Sequence, residues 1–199
     1  ESRALTRPQS SERAQALWAV HAMGAWNESL ALKALEDSDP YVRGWSIQLS
    51  TDARQTTPAL QTRFVELAKT DPSPIVRRYL ASAVQRVPDA AAWQILEALA
   101  AHAEDAEDRN LPALIWQGLA PRLPADLDRA FAIASRTRLG MVADSIHWYA
   151  ATLGGAALDR AVRALAEVDG EVLRRRVSGL WLAMEPRANV TMPPAWKDQ

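Results

Sequence analysis

The sequence predicts an all-α fold, a right-handed α-α superhelix of about five and a half stacked helical hairpins. Three observations carry this reading. The phrase Asp39-Pro40-Tyr41-Val42-Arg43-Gly44-Trp45 returns 34 residues later as Ser73-Pro74-Ile75-Val76-Arg77-Arg78-Tyr79, and an internal period of that length marks stacked helical units. The apolar runs are rich in Ala and Leu with Val and Ile dispersed, so strands are poorly supported. Helix-starting and helix-ending residues recur at short intervals along the whole chain.

Each copy of the phrase reads as a helix start. Asp39 or Ser73 is the N-cap, whose side-chain oxygen accepts a backbone N–H. Pro40 or Pro74 occupies the first helical position, where a missing N–H is harmless. By the same logic, helices are expected over 10–24, 27–37, 40–51, 58–70, 74–86, 89–102, 109–122, 125–136, 139–153, 155–168 and 170–184. Asn27, Asp89 and Asp126 are further candidate N-caps, while Gly24, Gly140, Gly154-Gly155 and Gly170 mark ends or turns. From residue 27 onward the helices pair in order as antiparallel hairpins. Helix 10–24 is the second half of a hairpin whose partner lies in residues 1–9 or upstream. Residues 1–185 thus form one repeat domain, and the aperiodic segment 186–199 is expected to lie extended along the last repeat.

Composition narrows the function classes. The 199 residues are 48% hydrophobic and carry a net charge of −1, enough for a substantial core and without a global attraction to nucleic acid or anionic lipid. The chain has no cysteine, which removes disulfides, a CxxCH haem attachment and thiolate-bound zinc. No apolar run approaches the roughly 20 residues of a membrane span. The opening Glu1-Ser2-Arg3, with neither Met nor a signal peptide, reads as an excised piece of something longer.

In the second helices Val76, Leu80, Ala83, Val84 and Val87 fall at helical spacing, a stripe that one hairpin cannot bury alone. Arg43 and Arg77 sit one turn into their helices, where a cation gains nothing from the helix dipole. Their expected role is to reach a carboxylate or loop carbonyl of an adjacent repeat, and Arg13 extends the series. The structural repeat positions are therefore Asp39, Pro40, Arg43, Trp45, Ser73, Pro74, Arg77 and Tyr79.

A hairpin whose second helix opens Pro-x-Val-Arg resembles the HEAT repeat, of the HEAT/ARM-like solenoid class. The strings DPYVRGWSIQL, DPSPIVRRYLASAVQRVP, HAEDAEDRNLPALIWQGLAP and MPPAW, in that order, resemble the helical region of planctomycete-type membrane-bound dehydrogenases. The likeness runs from about Arg13 to Trp196 and is densest over 39–121. In that family a β-propeller dehydrogenase-like domain precedes the HEAT region and a c-type cytochrome domain follows it. The resemblance implies a periplasmic or cell-envelope location and haem c on a domain outside this chain. It implies no cofactor here, because the attachment motif and the propeller repeats are both absent.

Four carboxylates and an imidazole fall within seven residues at His102, Glu104, Asp105, Glu107 and Asp108, a density that suits a hard cation if the loop wraps around it. The spacing matches no EF-hand or zinc pattern, and the preferred reading is a loop in which Asp108 or Asn110 caps the next helix. Tryptophan is unusually frequent, with 8 residues. Trp18, Trp45, Trp116, Trp148 and Trp181 fall in second helices, which suggests packing between repeats, and Trp93 falls in a first helix. The alternative is an aromatic groove, with Trp116 and the His147-Trp148 pair, followed by Tyr149, as the ligand or partner surface. Arg174-Arg175-Arg176 points three ways on a helix and reads as a partly solvated face.

No GxSxG elbow, HExxH, P-loop or GxGxxG occurs, so no catalytic residue is assigned. The expected function is a noncatalytic scaffold contacting other domains of the same polypeptide or a protein partner, with no nucleic acid. The alternatives are a HEAT-like DNA glycosylase, whose basic groove the charge balance disfavours, and a free-standing protein- or peptide-binding scaffold.

Overall fold

The computed structural model describes residues 4–185 and 189–198. It is all-helical, with no strand among the described residues. The helices are α1 (Ser10–Ala22), α2 (Glu28–Ala34), α3 (Pro40–Thr51), α4 (Pro58–Thr70), α5 (Pro74–Ala83), α6 (Asp89–Leu99), α7 (Leu111–Leu119), α8 (Leu127–Arg136), α9 (Gly140–Leu153), α10 (Gly155–Arg163) and α11 (Gly170–Met184). They divide into two compact units, one of residues 1–99 and 108–118, the other of residues 100–107 and 119–199.

In the first unit, α1, α3 and α5 pack side by side in one layer, and α2, α4 and α6 pack side by side in a second. The layers are joined through α2 on α3, α4 on α5 and α5 on α6. Leu17, Val42, Ile47, Phe64, Val76, Leu80, Ile95 and Leu96 are fully buried there. A side chain of this size stabilises by roughly 1.5–3 kcal/mol when it leaves water. Ser46 also bridges the layers, its hydroxyl donating to the Ala31 carbonyl at 2.9 Å with both groups out of water.

Local chemistry accounts for the helix starts. Asn27 accepts from the Leu30 N–H, Asp39 from Tyr41 and Val42, Ser73 from Ile75 and Asp126 from Arg129. Thr57, absent from the expected caps, accepts from Leu60. Asp89 is instead the first residue of α6, where its carboxylate favours the positive end of the helix.

Several expected helices are shorter. The segment expected over 74–86 is α-helical only to Ala83 and tightens into a 3-10 turn over Val84–Arg86. Val87 precedes Pro88, which pushes it into the extended region and ends the helix. Residues 155–168 divide in the same way, α10 giving way to a 3-10 turn over Ala164–Glu167. The helices expected over 27–37, 89–102 and 109–122 contract to α2, α6 and α7.

The second unit is organised on α9, against which α8, α10 and α11 all pack. Val142, Ile146 and Ala150 of α9 are fully buried. Thr137, between α8 and α9, donates its hydroxyl to the Ala100 carbonyl at 2.7 Å, anchoring the segment 100–107 in this unit. Gly154 joins α9 to α10 with φ 72° and ψ −165°, a conformation essentially confined to glycine.

The segment expected to be extended over 186–199 contains a 3-10 turn over Pro194–Asp198 that packs on α10. Its Ala195 N–H donates to Asp159 at 2.8 Å. Residues 186–188 and 199 lie outside the described residues.

Gly44 is the closest approach in the first layer. A Cβ built there would run into the Tyr79 ring. Replacing Gly44 with Ala is expected to destabilise the chain by about 1–2 kcal/mol by urea unfolding, because overpacking outweighs the gain in helix propensity. Adding Tyr79→Val should recover most of that loss.

Candidate functional site

The residues most like a site in the sequence are the repeated arginines, and the structure gives Arg13 and Arg43 matching partners and Arg77 one of the same kind. Arg13 forks onto the Asp37 carboxylate at 2.7 and 2.8 Å. Arg43 forks onto Asp71 at 2.8 and 2.9 Å. Each guanidinium also reaches back to its own loop, five or six residues upstream. Arg13 donates to the Arg7 and Pro8 carbonyls, Arg43 to those of Asp37 and Ser38, and Arg77 to that of Asp71.

Asp37 and Asp71 are the relays of this arrangement. Besides the fork from the preceding repeat, Asp37 accepts the Asp39 N–H at 2.9 Å and Asp71 accepts the Ser73 N–H at 2.9 Å. Their main-chain carbonyls in turn hold the arginine of their own repeat. The result is a chain of charge-assisted hydrogen bonds running Arg13, Asp37, Arg43, Asp71, Arg77.

The sequence reading named the arginines and the caps but missed the two aspartates. The available signal was an Asp two residues before each cap, in Asp37-Ser38-Asp39-Pro40 and Asp71-Pro72-Ser73-Pro74.

Burial acts to raise the Asp37 carboxyl, but the Arg13 fork, the Asp39 N–H and the charges of Arg13 and Arg43 together hold it below its ordinary 3.8. Arg13 is raised in turn by its bond to Asp37. Asp37 therefore contributes stability above its unfolded pKa that is lost as the pH falls through the depressed folded value.

An aromatic row lies in the same layer. Trp18 meets Trp45 edge-on with centroids 4.6 Å apart, and Trp45 lies 6.0 Å from Tyr79. Trp45, Tyr79 and Trp116 each fall five residues after the first residue of their helix. Trp93 is buried and Trp116 is half-buried, whereas Trp148 and Trp181 are exposed. Packing between repeats therefore explains only some of the tryptophans.

Trp116 belongs to the first unit, His147 and Trp148 to the second. His147 turns into the core of its unit, with its Nδ1 2.8 Å from the Ala143 carbonyl. A carbonyl only accepts, so Nδ1 carries the proton and Nε2 presents a lone pair. Nε2 has no hydrogen-bond partner among the described residues. The ring stands edge-on to Phe131 at 5.1 Å, and Arg160 lies over the Phe131 ring at 4.9 Å. Trp148 faces outward and stacks on Tyr149 with centroids 6.4 Å apart.

The arginine run divides as its helical spacing requires. Arg174 is exposed, Arg175 pairs with Asp144 at 3.0 Å, and Arg176 is buried 3.7 Å from the same carboxylate.

The acidic run gathers no metal cluster. Among the described residues no three His, Cys, Asp or Glu side chains converge. His102 Nδ1 lies 2.8 Å from Glu104 and Asp105 is buried. Glu107 is exposed. Asp108 is the cap of α7, accepting from the Asn110 and Leu111 N–H groups. Those two bonds, ahead of the Arg78 charge, hold its carboxyl below 3.8. No described helix is long and apolar enough to cross a membrane. In comparison with known proteins, no family model, no curated protein and no solved structure matches the chain.

Two expected outcomes follow from this geometry. Asp71→Asn keeps the shape but leaves Arg43 without its counter-charge at a site where the two side chains are only 12% and 3% exposed. The variant is expected to lose about 3 kcal/mol in urea unfolding. The second concerns His147, which burial, only partly offset by the Ala143 carbonyl, lowers from 6.5 to about 4. Arg176 and Arg160 push the same way and Asp144 opposes them. The unfolded chain takes up a proton through pH 6.5 while the folded chain does not until about pH 4, so stability falls as the pH drops across that window. The expected slope is about 1.4 kcal/mol per pH unit. It should flatten in His147→Gln when unfolding is measured between pH 7 and 4.

Proposed function

We propose that the chain is a noncatalytic HEAT-like module, a right-handed α-solenoid that spaces or docks partner domains. On the sequence resemblance, those partners are a dehydrogenase-like β-propeller and a c-type cytochrome domain of a larger cell-envelope protein. Haem c belongs to the cytochrome domain in this reading. The supporting observation is the arginine–aspartate chain. Arg13 and Arg43, which look most like a site, are engaged in tying one helical hairpin to the next, which is what a repeat module needs. The two parallel layers of the first unit, α1-α3-α5 and α2-α4-α6, are the packing expected when each hairpin buries the apolar stripe of its neighbour.

The test is direct. The purified chain, incubated with sugar substrates and an artificial electron acceptor, is expected to give no reduction above a boiled control. Turnover would contradict the noncatalytic reading. The full reading frame is expected to encode propeller repeats before this region and a CxxCH motif after it. A frame lacking both would contradict the connector role while leaving the scaffold role standing.

A further inference from the structure

The second unit has an unusual wall of exposed apolar side chains. Burying an indole removes roughly 150–250 Å² from water, yet Trp181 on α11 is 66% exposed and Trp196 in the C-terminal turn is 41% exposed. These two border a single pocket of about 450 Å³, within the range of roughly 300–1,000 Å³ usual for small-molecule sites. Leu158 and Val162 of α10, both about 1% exposed, also line it. Glu185 carries the only charge among the described residues that line it. That carboxylate is exposed and makes no ion pair among the described residues.

The Trp196 wall is fixed in place. Its neighbour Ala195 is buried and donates its N–H to Asp159, which Arg163 also holds at 2.8 Å. The Ala195 and Arg163 bonds keep the Asp159 carboxyl charged below the ordinary range, so the clasp on the turn is made throughout neutral pH. The pocket is thus lined by apolar side chains, two indoles and one carboxylate.

We propose that this pocket binds a small organic ammonium ion, an aryl- or alkylammonium with one compact positive charge on an apolar body. The indole faces attract a cation through their quadrupole, and a quaternary ammonium gives up little hydration to reach them. Glu185 supplies the counter-charge and disfavours anions of the same shape. The apolar lining residues, Leu158 and Val162 among them, take the hydrocarbon part. The inference is independent of the scaffold reading, since it concerns one pocket within one unit.

The probe is benzyltrimethylammonium, titrated into the whole chain by calorimetry with the indole N–H resonances followed by NMR, and benzenesulfonate is the anionic control. Saturable one-to-one binding is expected, with the Trp181 and Trp196 indole signals shifting most and benzenesulfonate failing to saturate. Trp181→Ala and Glu185→Gln alter exposed groups and are expected to keep the wild-type circular dichroism spectrum. Each should weaken binding about fivefold or more. Absence of saturation at millimolar probe, equal binding of benzenesulfonate, or wild-type affinity in either variant would overturn the proposal.

Discussion

The structure of the first unit depends on a carboxylate held between two donors. Asp37 and Asp71 each sit in the loop of a helical hairpin, accept the N–H of the residue that caps the next helix, and receive a guanidinium from the repeat before. Neither duty succeeds without the other. Turning the carboxylate toward the cap fixes the loop, and a fixed loop is what presents two oxygens in the plane that a bidentate arginine needs. The cost of burying the charge is met because every oxygen finds a donor, the condition under which buried ion pairs persist. The apolar layers bury the large side chains, while this polar chain ties each hairpin loop to the helix of the hairpin before it.

That division explains how much could be read from the sequence. The repeat, the caps and the prolines at first helical positions are local signals, visible in Asp39-Pro40 and Ser73-Pro74. The arginine's reach into a neighbouring repeat also followed, since a cation one turn into a helix has no local reason to be there. The aspartates were not legible in the same way. Asp37 and Asp71 lie in loops where acidic residues are common, and the fork from Arg13 or Arg43 crosses 24 or 28 residues of sequence.

Side-chain direction was the other limit. His147 and Trp148 are adjacent in sequence and look like one cluster, but successive helical residues point about 100° apart. One enters the core and the other faces solvent. Arg175 and Arg176 differ for the same reason, one an exposed ion pair and the other buried. The acidic run was read first as a capping loop, and Asp108 is that cap. Asp108 is committed to the backbone of α7, and carboxylates that serve as caps are not available to converge on a cation. The 3-10 turns at Val84–Arg86 and Pro194–Asp198 were missed because one short turn carries too few residues to show a period.

The account stands or falls on whether Arg43 and Asp71 are energetically coupled rather than merely adjacent. A double-mutant cycle of Arg43→Gln, Asp71→Asn and the pair, followed by urea unfolding at pH 7, measures that coupling. The arginine–aspartate chain predicts that the double variant loses less stability than the sum of the two single losses by at least about 1 kcal/mol. Additive losses, with a coupling within about 0.3 kcal/mol of zero, would show that the repeats are held by their apolar layers alone.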